Sequence, residues 1–173
     1  SIYVYELTGS KLERTWQSPV PTRNLTAIAL SPQGRQLAIA GMGASEAKPM
    51  GGFVAVLDST SGETLYVIDD FEHVVNQLSF SPDGSLLAQA WSASGGRLWD
   101  LRGPAFAEPR RLGVDATDMW AVAFTPGGTW LATTSGGYQQ RYQLTLWPLS
   151  DSYARVLANA NVGFYSLRFH PDG

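Results

Sequence analysis

One phrase recurs along this chain and limits what it can fold into. A large apolar residue is followed by a polar one, then Pro, one variable residue and Gly. It reads Leu30-Ser31-Pro32-Gln33-Gly34, Phe80-Ser81-Pro82-Asp83-Gly84, Phe124-Thr125-Pro126-Gly127-Gly128 and Phe169-His170-Pro171-Asp172-Gly173. The prolines are 50, 44 and 45 residues apart. Pro presets φ at the first corner of a tight turn, and Gly supplies the positive φ that closes it. Each phrase therefore marks a sharp reversal of the chain at a regular interval.

The runs on either side of these turns read as strands. Before the turn, Ile28 and Leu30 alternate with Ala27 and Ala29, and Val122 and Phe124 alternate with Ala121 and Ala123. One face of such a strand takes bulky side chains and the other fits close to a neighbour, which suits a sheet packed between two sheets. After the turn come Leu37 to Ala40, Leu86 to Ala90 and Trp130 to Thr134. A third strand is expected over Phe53 to Asp58, Arg97 to Leu101 and Leu144 to Leu149, and a fourth over Thr64 to Ile68, Arg110 to Val114 and Ala154 to Leu157. A period of ~40–45 residues with four strands is that of a propeller blade. With the strands lettered a to d, the chain runs c-d over 1–17, full blades over 25–70, 75–115 and 119–158, and strand a of a further blade over 164–173. The expectation is an all-β, partial β-propeller of four-stranded antiparallel blades, about four of them present over 1–173.

The match Phe80-Ser81-Pro82-Asp83-Gly84, Leu86-Leu87-Ala88 and Leu98-Trp99-Asp100-Leu101 resembles the WD40 repeat in residues and spacing. The other units are degenerate: the tryptophan position reads Tyr5, Leu57, Trp99 and Trp147, and the following acid Glu6, Asp58, Asp100 and Pro148. The family's Gly-His pair before strand a is missing, and Ser92 stands at the Asp of its b–c turn. Its buried His–Ser–Trp–Asp network is therefore expected to be absent, with stability coming from apolar packing between blades. The Pro-Asp-Gly turn also occurs in TolB-like and peptidase-associated propellers, and Phe53 to Asp58 with Gly62 resembles the YVTN type. The WD40 resemblance implies a ring of seven blades. The rest would come from the same longer chain or from another copy, since a repeat needs neighbours on both sides.

Composition narrows the chemistry. Charged residues are only 16% and the net charge is −3, with no Lys or Arg run to track a phosphate backbone, so no nucleic-acid partner is expected. There is no Cys, which excludes disulfides and thiolate metal sites. No apolar run approaches the length of a membrane span, and no membrane partner is expected. The segment Asp69-Asp70-Phe71-Glu72-His73 could ligate a divalent ion, but adjacent acids without fixed spacing read better as a solvated loop. Gly43-Ala44-Ser45-Glu46-Ala47 lacks the last Gly of a nucleophile elbow. No catalytic residue, cofactor or metal is assigned, and the chain is not expected to be an enzyme.

What remains is surface. In a propeller the d–a and b–c loops share the top of the ring. Two b–c loops are long, Gly41 to Gly52 and Ser135 to Gln143, and the second carries Tyr138, Arg141 and Tyr142. WD40 proteins often contact partners through the residue opening strand a and the one two positions earlier. The resemblance carries this to the openers Thr26, Asn76, Trp120 and Tyr165, and to Asp118. Trp120 and Tyr165 have two possible places. They could stand as aromatic anchors on the top, or tuck under it, since strict alternation puts them on the face of Phe124 and Phe169. The expected role is a cytoplasmic interaction scaffold whose top face binds a protein or peptide. The alternative is a regulatory or substrate-gating propeller attached to a catalytic domain.

Overall fold

In a computed structural model the chain is described over residues 2–18, 24–42, 52–71, 73–92, 95–103, 108–113, 118–137, 142–150, 155–161, 163–170 and 172. The described residues contain strands and turns but no helix, so no helix is long and apolar enough to cross a membrane. A first pair, β1 (Ile2–Thr8) and β2 (Lys11–Ser18), forms a two-stranded sheet. Then come β3 (Asn24–Leu30), β4 (Gln36–Met42), β5 (Gly52–Asp58) and β6 (Thr64–Phe71) in one sheet. The next holds β7 (Val75–Phe80), β8 (Leu86–Trp91), β9 (Gly95–Asp100) and β10 (Arg110–Leu112). The last holds β11 (Met119–Phe124), β12 (Trp130–Ser135), β13 (Tyr142–Pro148) and β14 (Arg155–Ala160). Within each sheet the strands pair antiparallel in sequence order. The three four-stranded sheets, with β3, β7 and β11 side by side, are blades of a propeller.

The turn phrase does more than reverse the chain. Gly34, Gly84 and Gly128 have φ of 69°, 74° and 66°, and their N–H groups donate to the carbonyls of Ser31, Ser81 and Thr125. The hydroxyls of those three residues accept from the N–H of Gln36, Leu86 and Trp130, at 3.0, 2.9 and 3.1 Å. This explains why Ser or Thr precedes each of these prolines: its side chain satisfies the first N–H beyond the turn. Neighbouring turns also touch, since Gln33 Nε2 donates to the Pro82 carbonyl at 3.1 Å. The c–d turns join the same end, where Ser59, Leu101 and Leu149 N–H groups donate to the carbonyls of Arg35, Ser85 and Thr129.

Two carboxylates at this end are strongly acidified. The Ser81 hydroxyl, then the Ser85 hydroxyl and N–H, pull Asp83 down to about 2 from 3.8. Arg102, through its side chain and its N–H, pulls Asp100 down to about 2. A carboxylate with a depressed native pKa contributes stability above its unfolded pKa and loses it as pH falls through the native one. The stability of the fold should therefore drop between about pH 4 and pH 2, and Asp83→Asn or Asp100→Asn should each flatten that limb. Urea midpoints at pH 5, 3 and 2 check this, and an unchanged slope in both variants would contradict it.

The blades stack through apolar layers. Ala38, Ala40, Val54 and Val56 of the second blade meet Leu78, Phe80, Leu87 and Trp99 of the third. Ala88, Ala90 and Leu98 of the third meet Val122, Phe124 and Leu131 of the fourth. Ile2 of β1 meets Leu37, Ile39 and Phe53 of the second blade. Each strand a turns its small side toward the next blade: Ala27 and Ala29 pack on the layer that holds Leu78 and Phe80. Its large side faces the previous blade, which leaves Ile28 and Leu30 of β3 62% and 59% exposed.

One expectation needs correction, and one is met only as far as placement. The absent tryptophan network is present in one bond, because Trp147 Nε1 donates to Thr133 Oγ1 at 2.8 Å in the fourth blade. A hydroxyl two residues past the cross-strand partner of the tryptophan suffices for it; the third blade has Gln89 there instead. Residues 163–170 form no sheet ladder, although 164–173 was expected as a strand. Among the described residues no strand pairs with that segment in a ladder. Leu167, Arg168 and Phe169 still line one open groove with Ile28, Leu78 and Val122, so they follow the row of first strands.

Candidate functional site

The ends of the strands opposite the turn phrases form the top. Strands β3, β7 and β11 each begin there with an irregularity in the same place. The ladder skips one residue between Leu25 and Ala27, between Val75 and Gln77, and between Met119 and Ala121. The skipped residues are Thr26, Asn76 and Trp120, the openers singled out by the resemblance. A bulge re-aims the side chain it carries and changes which face its neighbours occupy. In β11 it is Met119, 1% exposed, that joins Val122 and Phe124 in the apolar layer. Trp120 is released from the face that strict alternation gave it and stays half-buried.

The three openers then differ. Asn76 Nδ2 donates to the Met119 carbonyl at 2.8 Å and so ties the third blade to the fourth. Beside it Gln77 Oε1 accepts from Val122 N at 3.2 Å. The Thr26 hydroxyl is buried and makes no hydrogen bond among the described residues. Trp120 Nε1 donates to the Gly136 carbonyl at 3.1 Å, which fixes the indole against the b–c loop. Asn76 and Thr26 thus act within the scaffold, and Trp120 is held at its surface.

Around Trp120 the top gathers an aromatic cluster. The Tyr165 ring, 67% exposed, stands edge-on to Trp120 with centroids 5.5 Å apart and planes at 69°. Tyr142, at the start of β13, lies beside Tyr165, since a Cβ on Gly163 would press on both rings. The Tyr142 hydroxyl is held above its ordinary pKa chiefly by the neighbouring Tyr165 side chain, then by desolvation and the Asp118 carboxylate. Thr134 Oγ1 donates to the Phe164 carbonyl at 2.9 Å and holds the Tyr165 segment against the fourth blade. Asp118 accepts the Gly136 N–H at its carbonyl, 2.9 Å away.

Two glycines that sequence reasoning left out of the site, Gly136 and Gly163, make this packing possible. A Cβ on Gly163 would lie 2.9 Å from Tyr165 Cζ and 3.0 Å from Tyr142 Cε1. One on Gly136 would fall on the Tyr142 ring, and one on Gly137 would lie 3.7 Å from Asp118 Oδ2. The signal was present as the Gly136-Gly137 pair inside the long loop. Of the eight residues chosen from sequence, Asp118, Trp120, Tyr142 and Tyr165 come together, while Thr26 and Asn76 stand outside that cluster, Asn76 bridging to Met119. Tyr138 and Arg141 lie outside the described residues, as do Gly43 to Ala47 and the side chains of Asp69, Asp70 and Glu72. Among the described residues no group of three His, Asp or Glu is placed to hold a metal ion.

Comparison with known proteins supports the architecture. A solved structure described as the Dos1 propeller matches with a TM-score of 0.69 at 16% identity, over 86% of this chain. The chain spans 37% of the length of that protein. No protein-family model matches the chain, and no curated protein matches it. At this identity the likeness is one of fold: this chain, like that one, is built as a propeller.

Proposed function

We propose that the chain is part of a WD40-type propeller, non-catalytic, that binds a protein or peptide through its top face. The observation that supports this most is the cluster of Trp120, Tyr142 and Tyr165. Its rings come from two strands of one blade, β11 and β13, and from the segment after that blade, and hydrogen bonds hold Trp120 and the Tyr165 segment in place. Aromatic side chains fixed in advance lose little entropy on binding and dominate interface energies. The WD40 repeat resemblance and the fixed turn end agree with a division of labour in which the bottom locks the blades and the top meets partners. The reading takes the protein as cytoplasmic, and the resemblance supports a ring of seven blades. Exposed Ile28, Leu30, Tyr3 and Tyr5 fit that ring, because further strands laid against β1 and β3 would cover them. Those strands belong to the same longer chain or to a second copy.

The test is a selection of peptides from a random display library on the immobilised protein. Selected peptides should lose binding to Trp120→Ala and Tyr142→Ala and keep it to Gln33→Ala. Peptides sensitive only to changes in the Pro32, Pro82 and Pro126 turns would overturn the top-face reading.

A further inference from the structure

We propose that the corner formed by Trp120, Tyr142 and Tyr165 receives a cationic side chain of a peptide partner: lysine, its methylated forms or arginine. This rests on the top-face reading and gives its partner a chemistry.

The faces of aromatic rings carry negative partial charge and attract cations. Trp120 and Tyr165 meet at 69°, so they form two walls of a corner rather than a flat stack. Tyr142 stands beside Tyr165, with both rings packed over Gly163. The wall positions are fixed: Trp120 by its bond to Gly136, and the Tyr165 segment by the Thr134 bond to Phe164. Glycine at 136 and 163 leaves room for the rings and adds no side chain of its own.

The electrostatics point the same way. The Asp118 carboxylate lies close enough for its charge to act on the Tyr142 hydroxyl. A cation entering the corner would thus meet ring faces and a negative field together. An anion is disfavoured, since the indole N–H that could have bound it already donates to a backbone carbonyl. An uncharged aliphatic side chain would gain the ring contact but nothing from the field. The net charge of −3 adds a weak long-range attraction of the same sign.

The test uses the intact protein and blocked peptides Gly-Gly-X-Gly-Gly, with X as norleucine, lysine, trimethyllysine, arginine or glutamate. Binding is read from the Trp120 indole N–H signal, assigned through Trp120→Phe. At least one cationic peptide should bind roughly three- to thirtyfold tighter than the norleucine peptide, with glutamate weakest. The preference should shrink in Asp118→Asn and at high salt. It should vanish in Tyr165→Leu, a change at an exposed ring that leaves the blades folded. Equal binding of norleucine and all the cationic peptides would overturn the proposal, as would a preference unaffected by both variants. Display-selected peptides that need Trp120 but show no dependence on a cation would defeat this proposal and leave the top-face reading standing. Peptides that bind only at the turn end would defeat that reading itself.

Discussion

Phe53→Ala should cost about 3–5 kcal/mol and Leu131→Ala about 2–5 kcal/mol. Phe53 is 1% exposed between the first pair of strands and the second blade, and Leu131 is fully buried between the third and fourth. Each fills a layer between two sheets, where neighbours bonded into their own ladders cannot collapse into the space. The midpoint of urea unfolding measures the loss. Ile28→Ala is the informative contrast. At 62% exposure it should cost under about 0.5 kcal/mol in this chain alone. In a protein whose ring is completed by further strands it should cost as much as a core truncation. An equal, small cost in both would contradict the seven-bladed reading.

Trp120→Ala should weaken a top-face partner by at least about tenfold, and Tyr142→Ala by a similar factor, because truncating a central aromatic anchor commonly costs ~2 kcal/mol or more. The loss must be separated from unfolding. Trp120 is half-buried and stands outside the layer that holds Phe124, which is 8% exposed with Val122 and Leu131 around it. Trp120→Ala should therefore lower the unfolding midpoint less than Phe124→Ala does. If the two lower it equally, Trp120 is a packing residue and its binding effect is indirect.

Much of the fold could be read from the chain because the turn phrase is chemically redundant. Proline, glycine and the Ser or Thr hydroxyl each demand the same reversal, and they recur three times in described turns. The small-large alternation of Ala27-Ile28-Ala29-Leu30 likewise encodes both faces of strand a. The top was harder to read. A bulge at Trp120 depends on how β11 meets β12, and no local pattern announces it. Strict alternation thus put Trp120 beside Phe124, where Met119 sits. The Trp147–Thr133 bond joins strands 14 residues apart and was hidden by the absence of its usual histidine. The meeting of Tyr142 with Tyr165 depends on how the segment after β14 returns to the fourth blade, a non-local fact.

The central claim is that partners meet the top face at the aromatic corner. Its most direct test is a hydroxyl-radical footprint of the intact protein with a display-selected peptide bound. Trp120, Tyr142 and Tyr165 should be protected, while Pro82 and Pro126 at the turn end should react as in the free protein. Protection of the turn end with unchanged reactivity of the three rings would contradict the account.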